Sequence, residues 1–269
     1  LLLTLAQEYP LEIISADSMQ VYRYMDIATA KPTHLERQRL PHHLIDIRNP
    51  DEGFDAGQFV AEALPTIHEI TRRGKIPVVA GGTGLYIKAL TYGLCPAPPR
   101  SEQIRVYLRS LIRLKGTHSL WDALRRMDPD SAAILNPQDA ARLIRYLEII
   151  FLTGRRPSEL QSIHGFARPV FDVRIASIMP PREVLYARID QRVMDMLERG
   201  LIRETEGLLA LGYHRNFKTM DTLAYKHICA YLAAELSLDE AVRLIQRDTR
   251  HYAKRQMTWN RGHYEESCV

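Results

Sequence analysis

The sequence predicts an α/β protein: a parallel-sheet core, interrupted by an all-helical insertion and followed by a helical C-terminal region. Two observations lead to the sheet. The runs Glu12-Ile-Ile-Ser-Ala16 and Val78-Val-Ala80 are apolar and partly β-branched, and each ends abruptly in small polar residues. Buried parallel strands read this way when they deliver side chains to the carboxyl edge of a sheet, where α/β folds bind ligands. The third observation is a change of texture. From Ser101 to about His164, and again from Pro181 to Gly262, the pattern is helical.

Taken in order, Leu1–Pro10 reads as the body of an amphipathic helix without a cap. The first strand follows and ends at Asp17. After the polar segment 25–41, His43–Ile47 reads as a second strand and Asn49–Phe54 as a turn. Asp55 reads as the cap of a helix reaching Arg73, with Phe59, Ala63, Ile67 and Ile70 on one face. Gly74 closes that helix, Ile76–Ala80 is the next strand, and Thr83 opens a short helix to about Tyr92. This β-α-β order is the pattern of a doubly wound sheet. The proline-rich stretch Cys95–Arg100 is a stiff connector into the insertion, and the alternating Phe171–Ile178 returns the chain to the sheet as a strand. Two bodies are therefore expected: a core of 1–100 with 170–269, and a helical insertion of 101–169.

Composition excludes several classes. A chain of 269 residues, 46% hydrophobic and 25% charged, is long enough for a full core and ordinary for a soluble enzyme. Cys95, Cys229 and Cys268 lie far apart, with no CxxC pair and no His cluster at zinc spacing, so a reducing cytosol is expected rather than a disulfide framework. No run approaches membrane-spanning length, and the apolar start lacks the features of a signal peptide. The net charge of +4 says little by itself about a nucleic-acid partner.

Several residues carry chemistry, each beside a plainer reading. Asp17 at a strand end is a candidate acid–base group or a helix cap. Lys31 is available for a phosphorylated substrate, although a solvated loop lysine is the simpler account. Gly81-Gly-Thr-Gly84 is neither GxGxxG nor a Walker A loop. It reads as a close approach of backbone to a ligand, with Thr83 capping the next helix. Arg243, Arg247, Arg250, Lys254 and Arg261 are spaced 4, 3, 4 and 7 apart and form one stripe of a helix, flanked by Tyr252, Arg255 and Trp259. A one-sign stripe with aromatic neighbours fits RNA-backbone contact better than a solvated face. Arg188 and Arg192 share a helix face and could clamp an anionic leaving group or make surface ion pairs. Arg142 and Arg145 could face nucleic acid or solvate the insertion. His42 and His43 are assigned no catalytic role.

Together, Ile14-Ser-Ala-Asp-Ser-Met-Gln-Val-Tyr-Arg-Tyr-Met-Asp-Ile27, Thr29-Ala-Lys-Pro32, Ala80-Gly-Gly-Thr-Gly-Leu-Tyr86, Arg188-Ile-Asp-Gln-Arg192 and Tyr252-Ala-Lys-Arg-Gln-Met-Thr-Trp259 resemble bacterial tRNA dimethylallyltransferases, also called tRNA isopentenyltransferases. The motifs fall in the family's order across essentially the whole chain. The resemblance implies a P-loop-type, nucleotide-binding kind of core and transfer of a dimethylallyl group from dimethylallyl diphosphate. The acceptor would be N6 of the adenosine 3′ of the anticodon, adenosine 37 of tRNA. It implies Mg²⁺ as cofactor, tRNA and dimethylallyl diphosphate as partners, a monomer, a cytosolic location and no membrane.

By the same resemblance Asp17 matches the general base, Thr83 the active-site threonine and Arg192 an arginine near the diphosphate. The tRNA-contacting segments match Asp17, Ser18, Met19 and Gln20, with Thr83 beside them. In the insertion they match Arg105, Ala141, Arg142, Leu143, Ile144 and Arg145. Later they match Asp221, Thr222, Leu223, Ala224, Tyr225 and Lys226, and then Lys254, Arg255, Gln256, Met257, Thr258, Trp259, Asn260 and Arg261.

The sequence departs from the family at Ala28 and Ala224, where glycine is usual, and at Asp221 and Asn260. The family's Gly-rich phosphate loop would stand just before Leu1, and this sequence lacks it. Two other readings stay open at this point: a tRNA-binding remnant impaired in catalysis, and a P-loop small-molecule kinase, which would not need the basic stripe.

Overall fold

The computed structural model describes residues 1–165 and 169–264. Residues 166–168 of the expected insertion, and Cys268, lie outside the described residues. The elements run α1 (Leu2–Leu5), β1 (Leu11–Ser15), α2 (His34–Arg39), β2 (His42–His43), α3 (Ala56–Arg72), β3 (Ile76–Ala80) and α4 (Gly84–Tyr92). Then come α5 (Glu102–Lys115), α6 (His118–Met127), α7 (Pro129–Ile134), α8 (Ala140–Thr153) and α9 (Pro157–His164). The last four are α10 (Arg182–Glu198), α11 (Leu201–Ala210), α12 (Tyr225–Leu232) and α13 (Leu238–Tyr264).

Contacts divide the chain into two compact units, 1–91 with 171–269, and 92–170. In the first, a parallel sheet of order β2-β1-β3 places β1 at its centre. All five β1 residues are buried, because both faces of a parallel sheet are covered. Ile14 and Ala16 pack with Phe59, Ala63 and Ile70 of α3 and with Tyr86, Ala89 and Leu90 of α4. Leu11 and Ile13 pack on Leu40 instead, with Leu2 of α1 and Ala6 just after it. Asp55 caps α3 as expected, accepting from the Gly57 and Gln58 N–H groups, while the Gln58 side chain returns to the Asp55 N–H.

Four expectations change. No helix follows β1; Ser18 to Ala30 is a succession of turns, so Asp17 is not a helix cap. The first helix after it is α2, started by a Thr33/Glu36 capping box. The second strand is only two residues long, because Leu44 and Asp46 adopt left-handed φ values of 61° and 58° and turn the chain away. Asp46 is held there by Lys31 and Arg37. Finally, Phe171–Ile178 is no strand; only Ser177 makes a single bridge. Its alternation is not matched by burial, since Val173 and Ile178 are exposed.

A second core in this unit joins Val21, Tyr22 and Met25 to α10–α13 through Val193, Leu208, Tyr225 and Ile245. The turn Asp26–Ala28 is fastened to it by Glu204, whose carboxylate accepts from the Asp26, Ile27 and Ala28 N–H groups. The Tyr225 hydroxyl donates to the same carboxylate at 2.7 Å.

The second unit is a bundle of α5–α9 around Leu108, Leu120, Leu124, Leu143 and Leu147. Within it, Glu148 is fully buried and accepts from Arg105, Arg145 and the Ser101 N–H. Arg145 also donates to the Pro98 carbonyl, tying the proline-rich connector to this bundle. Buried Asp128 caps α7 through the Ser131 N–H and holds the start of α9 through the Ser158 N–H and hydroxyl.

Candidate active site

The site forms where β1 and β3 end side by side. Past Ser15 and Ala80 the two chains stay joined, the Ala16 N–H donating to Ala80 and the Thr83 N–H to the Ala16 carbonyl. Asp17 and Thr83 therefore emerge together. Asp17 Oδ1 accepts from the Met19 N–H at 2.8 Å and the Gln20 N–H at 3.3 Å, closing a turn. Its Oδ2 has no hydrogen bond among the described residues. Thr83 Oγ1 accepts from the Ser18 N–H at 3.1 Å.

Arg192 reaches the same place from α10. Burial lowers its pKa and the Asp17 charge opposes that. Its surface is nonetheless accessible to water. The fourth wall is α13. The Tyr252 hydroxyl is pushed up in pKa by burial and by the Asp17 charge, with Gln256 and Thr83 acting against that shift. Gln256 Nε2 donates to the Gly82 carbonyl at 2.9 Å.

The glycines of the loop are explained by these neighbours rather than by a ligand. A Cβ on Gly81 would stand 2.3 Å from the Ala16 carbonyl oxygen. On Gly82 it would stand 2.1 Å from Gln256 Nε2, and on Gly84 2.1 Å from the Trp259 indole nitrogen. The loop is bare so that β1 and α13 can close on it.

Other predicted residues divide sharply. Lys31 is neither a phosphate ligand nor a solvated lysine. It is buried, and its three donors go to the Tyr22 carbonyl, Asp26 and Asp46. Gln20 accepts from the Ser15 hydroxyl and donates to the Thr29 and Ala30 carbonyls, so it shapes the turn. Met19 packs against the core. Tyr225 and Ala224 are core residues, as are Leu143 and Ile144 in the other unit, so none of these four offers a free side chain to RNA. Asp221 is exposed, Leu223 is half-buried, and Thr222 donates to the Thr219 carbonyl. Lys226 is paired with Asp248 at 2.9 Å.

In the helical unit Arg105 and Arg145 clamp Glu148, leaving Ala141 and Arg142 as the exposed residues of that segment. A groove of about 660 Å³ opens there, lined by Arg105, Arg109, Arg113, Ala140 and Ala141 among others.

The α13 stripe is also divided. Arg250 is paired with Asp190 at 2.6 Å and Arg247 with Asp248 at 2.8 Å. Arg243, Lys254 and Arg261 are exposed and unpaired among the described residues. Arg255 lies over the Tyr252 ring, and with Lys254, Thr258 and Trp259 lines a groove of about 650 Å³. Met257 is half-buried, and Asn260 donates to Ser177. Tyr252 was singled out in the sequence only as a flank of the stripe. Its spacing of four from Gln256 and seven from Trp259 was the available signal.

A carboxylate and a hydroxyl at adjoining strand ends, within the electrostatic reach of a guanidinium on α10, make an arrangement suited to group transfer. The comparisons give that class its family. The model of the IPP transferase family matches residues 20–263, and the chain belongs to this family. It is 50% identical to tRNA dimethylallyltransferase 2 of Geotalea uraniireducens over 98% of this chain and 86% of that one. It is 48% identical to the tRNA dimethylallyltransferase of Geobacter metallireducens, over 97% and 84%.

Among solved structures it is similar to the full-length tRNA isopentenylpyrophosphate transferase of Bacillus halodurans. There the TM-score is 0.69 and the identity 39%, over 99% of this chain and 83% of that one. A eukaryotic dimethylallyltransferase caught acting on tRNA gives 0.81 and 31%, over 96% and 65%. These neighbours share the P-loop-type core.

Proposed function

We propose that this chain transfers a dimethylallyl group from dimethylallyl diphosphate to N6 of adenosine 37 in tRNA. The observation that carries the reading is the convergence of Asp17, Thr83 and Arg192 in a chain of this family. The kinase alternative loses its ground with the family match.

The chemistry suits the geometry. An exocyclic adenine amine is a poor nucleophile because its lone pair is delocalised into the ring. As the N6–C1 bond forms and the C1–O bond breaks, the diphosphate leaves with the bonding pair and the amine proton must go somewhere. The Oδ2 of Asp17 is unengaged and its carboxylate is fixed by two N–H groups, so it receives that proton. Arg192 offsets charge on the departing diphosphate. The adenine must leave the loop stack to reach Asp17. Half-buried walls from α13 limit water, which would otherwise take the prenyl group.

No cluster of three His, Cys, Asp or Glu side chains suited to a metal exists among the described residues. Mg²⁺ would ride on the diphosphate oxygens, as this ion commonly does on phosphate substrates, supplying charge neutralisation. For tRNA, Arg243, Lys254 and Arg261 of α13 are exposed and unpaired among the described residues, and Arg142 of the helical unit is exposed with a 3.5 Å surface pairing to Asp139. No helix among the described residues is long and apolar enough to cross a membrane.

The test is to incubate the protein with unmodified tRNA, Mg²⁺ and dimethylallyl diphosphate, then digest the tRNA and analyse nucleosides by mass spectrometry. Prenylated adenosine confined to position 37 is expected. Unmodified adenosine there after prolonged incubation would overturn the reading.

A further inference from the structure

The turn that carries Asp17 is short, and one side chain braces it from within. Met19 and Gln20 donate their N–H groups to Asp17 Oδ1, at 2.8 and 3.3 Å. Gln20 also ties the turn to three neighbouring stretches of chain. Its Oε1 accepts at 3.1 Å from the hydroxyl of Ser15, the last residue of β1 and two before Asp17. Its Nε2 donates to the Thr29 and Ala30 carbonyls, each at 3.3 Å. Its own carbonyl accepts from the Asp46 N–H, on a residue that Lys31 and Arg37 hold in place. The 29–30 backbone is a firm wall for this brace. The Ala30 and Lys31 N–H groups donate to the Ile27 and Asp26 carbonyls. Glu204 of α11 in turn accepts from the Asp26, Ile27 and Ala28 N–H groups, at 2.9, 2.7 and 3.2 Å.

We propose that Gln20 is a positioning residue for prenyl transfer, bracing the Asp17 turn between Ser15 and the 29–30 backbone, a wall that Glu204 fixes to α11. The role rests on the proposed function, since Gln20 acts through Asp17 as the group that takes the amine proton. The resemblance puts Gln20 among residues that contact tRNA. In the structure it is half-buried, and both its Nε2 donors are spent on backbone carbonyls. Amide chemistry is what the place requires. Two carbonyls need donors and a hydroxyl needs an acceptor, and glutamine supplies both in one planar group. A glutamate would turn oxygen toward the two carbonyls and add a second negative charge to the Asp17 turn. A methionine, similar in length, would fill the space but leave the carbonyls without that donor. Position matters because a general base works only within about 2.6–3.2 Å of the atom whose proton it takes. Among the described residues, Asp17 is held by two N–H groups, and Gln20 supplies one of them.

The experiment combines kinetics with a spectroscopic readout on the full chain. Single-turnover transfer at saturating tRNA, and tRNA affinity, are measured for the parent, Gln20→Met, Asp17→Asn and the double variant, each shown to be folded by circular dichroism. Gln20→Met is expected to slow transfer roughly 10–100-fold, the usual cost of a misplaced reacting group, with tRNA affinity within about twofold of the parent. On the Asp17→Asn background it should cost nothing further, because the two act as one unit. A merely structural loss would slow both backgrounds alike. In protein carrying aspartate ¹³C-labelled at the side-chain carboxyl, the Asp17 resonance is identified by its loss in Asp17→Asn. It should move in Gln20→Met and in Ser15→Ala, which removes one bond of the brace, and stay in place in the remote Thr71→Ala. If Gln20→Met does not fold, Ser15→Ala takes its place in the same cycle, with a smaller slowing expected. A folded Gln20→Met at the parent's rate overturns the proposal, as do fully multiplicative penalties or an unmoved Asp17 resonance. Weaker tRNA binding with an unchanged saturated rate also overturns it and makes Gln20 an RNA contact instead. A parent that transfers nothing removes the proposed function and this role with it, which is a distinct result.

Discussion

Lys31 shows what a single residue's surroundings can do to its meaning. In sequence it is a lysine in a polar loop. In the fold its side chain is 1% exposed and its ammonium is saturated by two carboxylates and a carbonyl. Lys31→Ala is expected to destabilise the protein toward the lower end of about 3–5 kcal/mol, since Asp26 remains open to water. Denaturant midpoints check this, and the affinity for dimethylallyl diphosphate of the folded variant should not change. Asp17 is the opposite case, a carboxylate with one oxygen tied down and one unengaged. Asp17→Asn should lower single-turnover transfer by roughly 10²–10⁴-fold, the ordinary worth of a general base, with tRNA binding nearly intact. A rate within a few-fold of the parent would remove Asp17 from the mechanism.

At the level of elements, α13 does two jobs on opposite faces. Gln256 and Trp259 press on the glycine loop, while Arg243, Lys254 and Arg261 are exposed. The pairing of Arg250 with Asp190 fixes α13 to α10, which carries Arg192. Lys254→Ala with Arg261→Ala should weaken tRNA binding and flatten its log–log salt slope by roughly 0.7–0.9 per contact. Arg250→Ala should leave that slope alone and act on stability instead. Equal slopes for both sets would mean the RNA surface lies elsewhere, with Arg142 the first place to look.

The glycine loop gives a sharper test of the packing. A Cβ at Gly81 meets backbone, which cannot yield, whereas at Gly82 it meets the end of a flexible glutamine. Gly81→Ala should therefore cost about 1–3 kcal/mol of stability, and Gly82→Ala clearly less, as thermal unfolding would report.

Over the whole molecule, both units are fastened by buried or half-buried carboxylates. At Glu12, Asp46, Asp128, Glu148 and Asp248 burial by itself would raise the pKa, but donated hydrogen bonds outweigh it and each is lowered. Glu148 is held down to about 2 by Arg105, Arg145 and the Ser101 N–H. A carboxylate whose folded pKa is depressed contributes stability that is fully present above its unfolded value and lost as pH falls toward the folded one. Stability should therefore be flat above pH 5 and fall between about pH 4.5 and 2. Glu148→Gln should remove part of that fall from the helical unit. An unchanged acid transition in that variant would show that Glu148 is not what holds the bundle together.

How much of this was legible in sequence follows from what each feature depends on. β1, α3 and β3, and the helical character of the insertion, are fixed by local periodicity and caps, and the sequence alone marked them to within a residue or two. The sequence also determined the family, whose model matches residues 20–263, and it offered Asp17, Thr83 and Arg192 as candidates because they sit in motifs. It misjudged His43–Ile47 and Phe171–Ile178. Their alternation is real, but strand formation needs a partner edge, and left-handed Leu44 and Asp46 deny it in the first case. Only the tertiary structure decided which cations are free and which are spent, since Lys31, Arg105 and Arg250 find their carboxylates 5 to 60 residues away. It alone brought Gln256 to the Gly82 carbonyl, a juxtaposition across 174 residues that no local pattern encodes. Periodicity reports which face of an element is buried; what that face is buried against is settled only when the chain closes on itself.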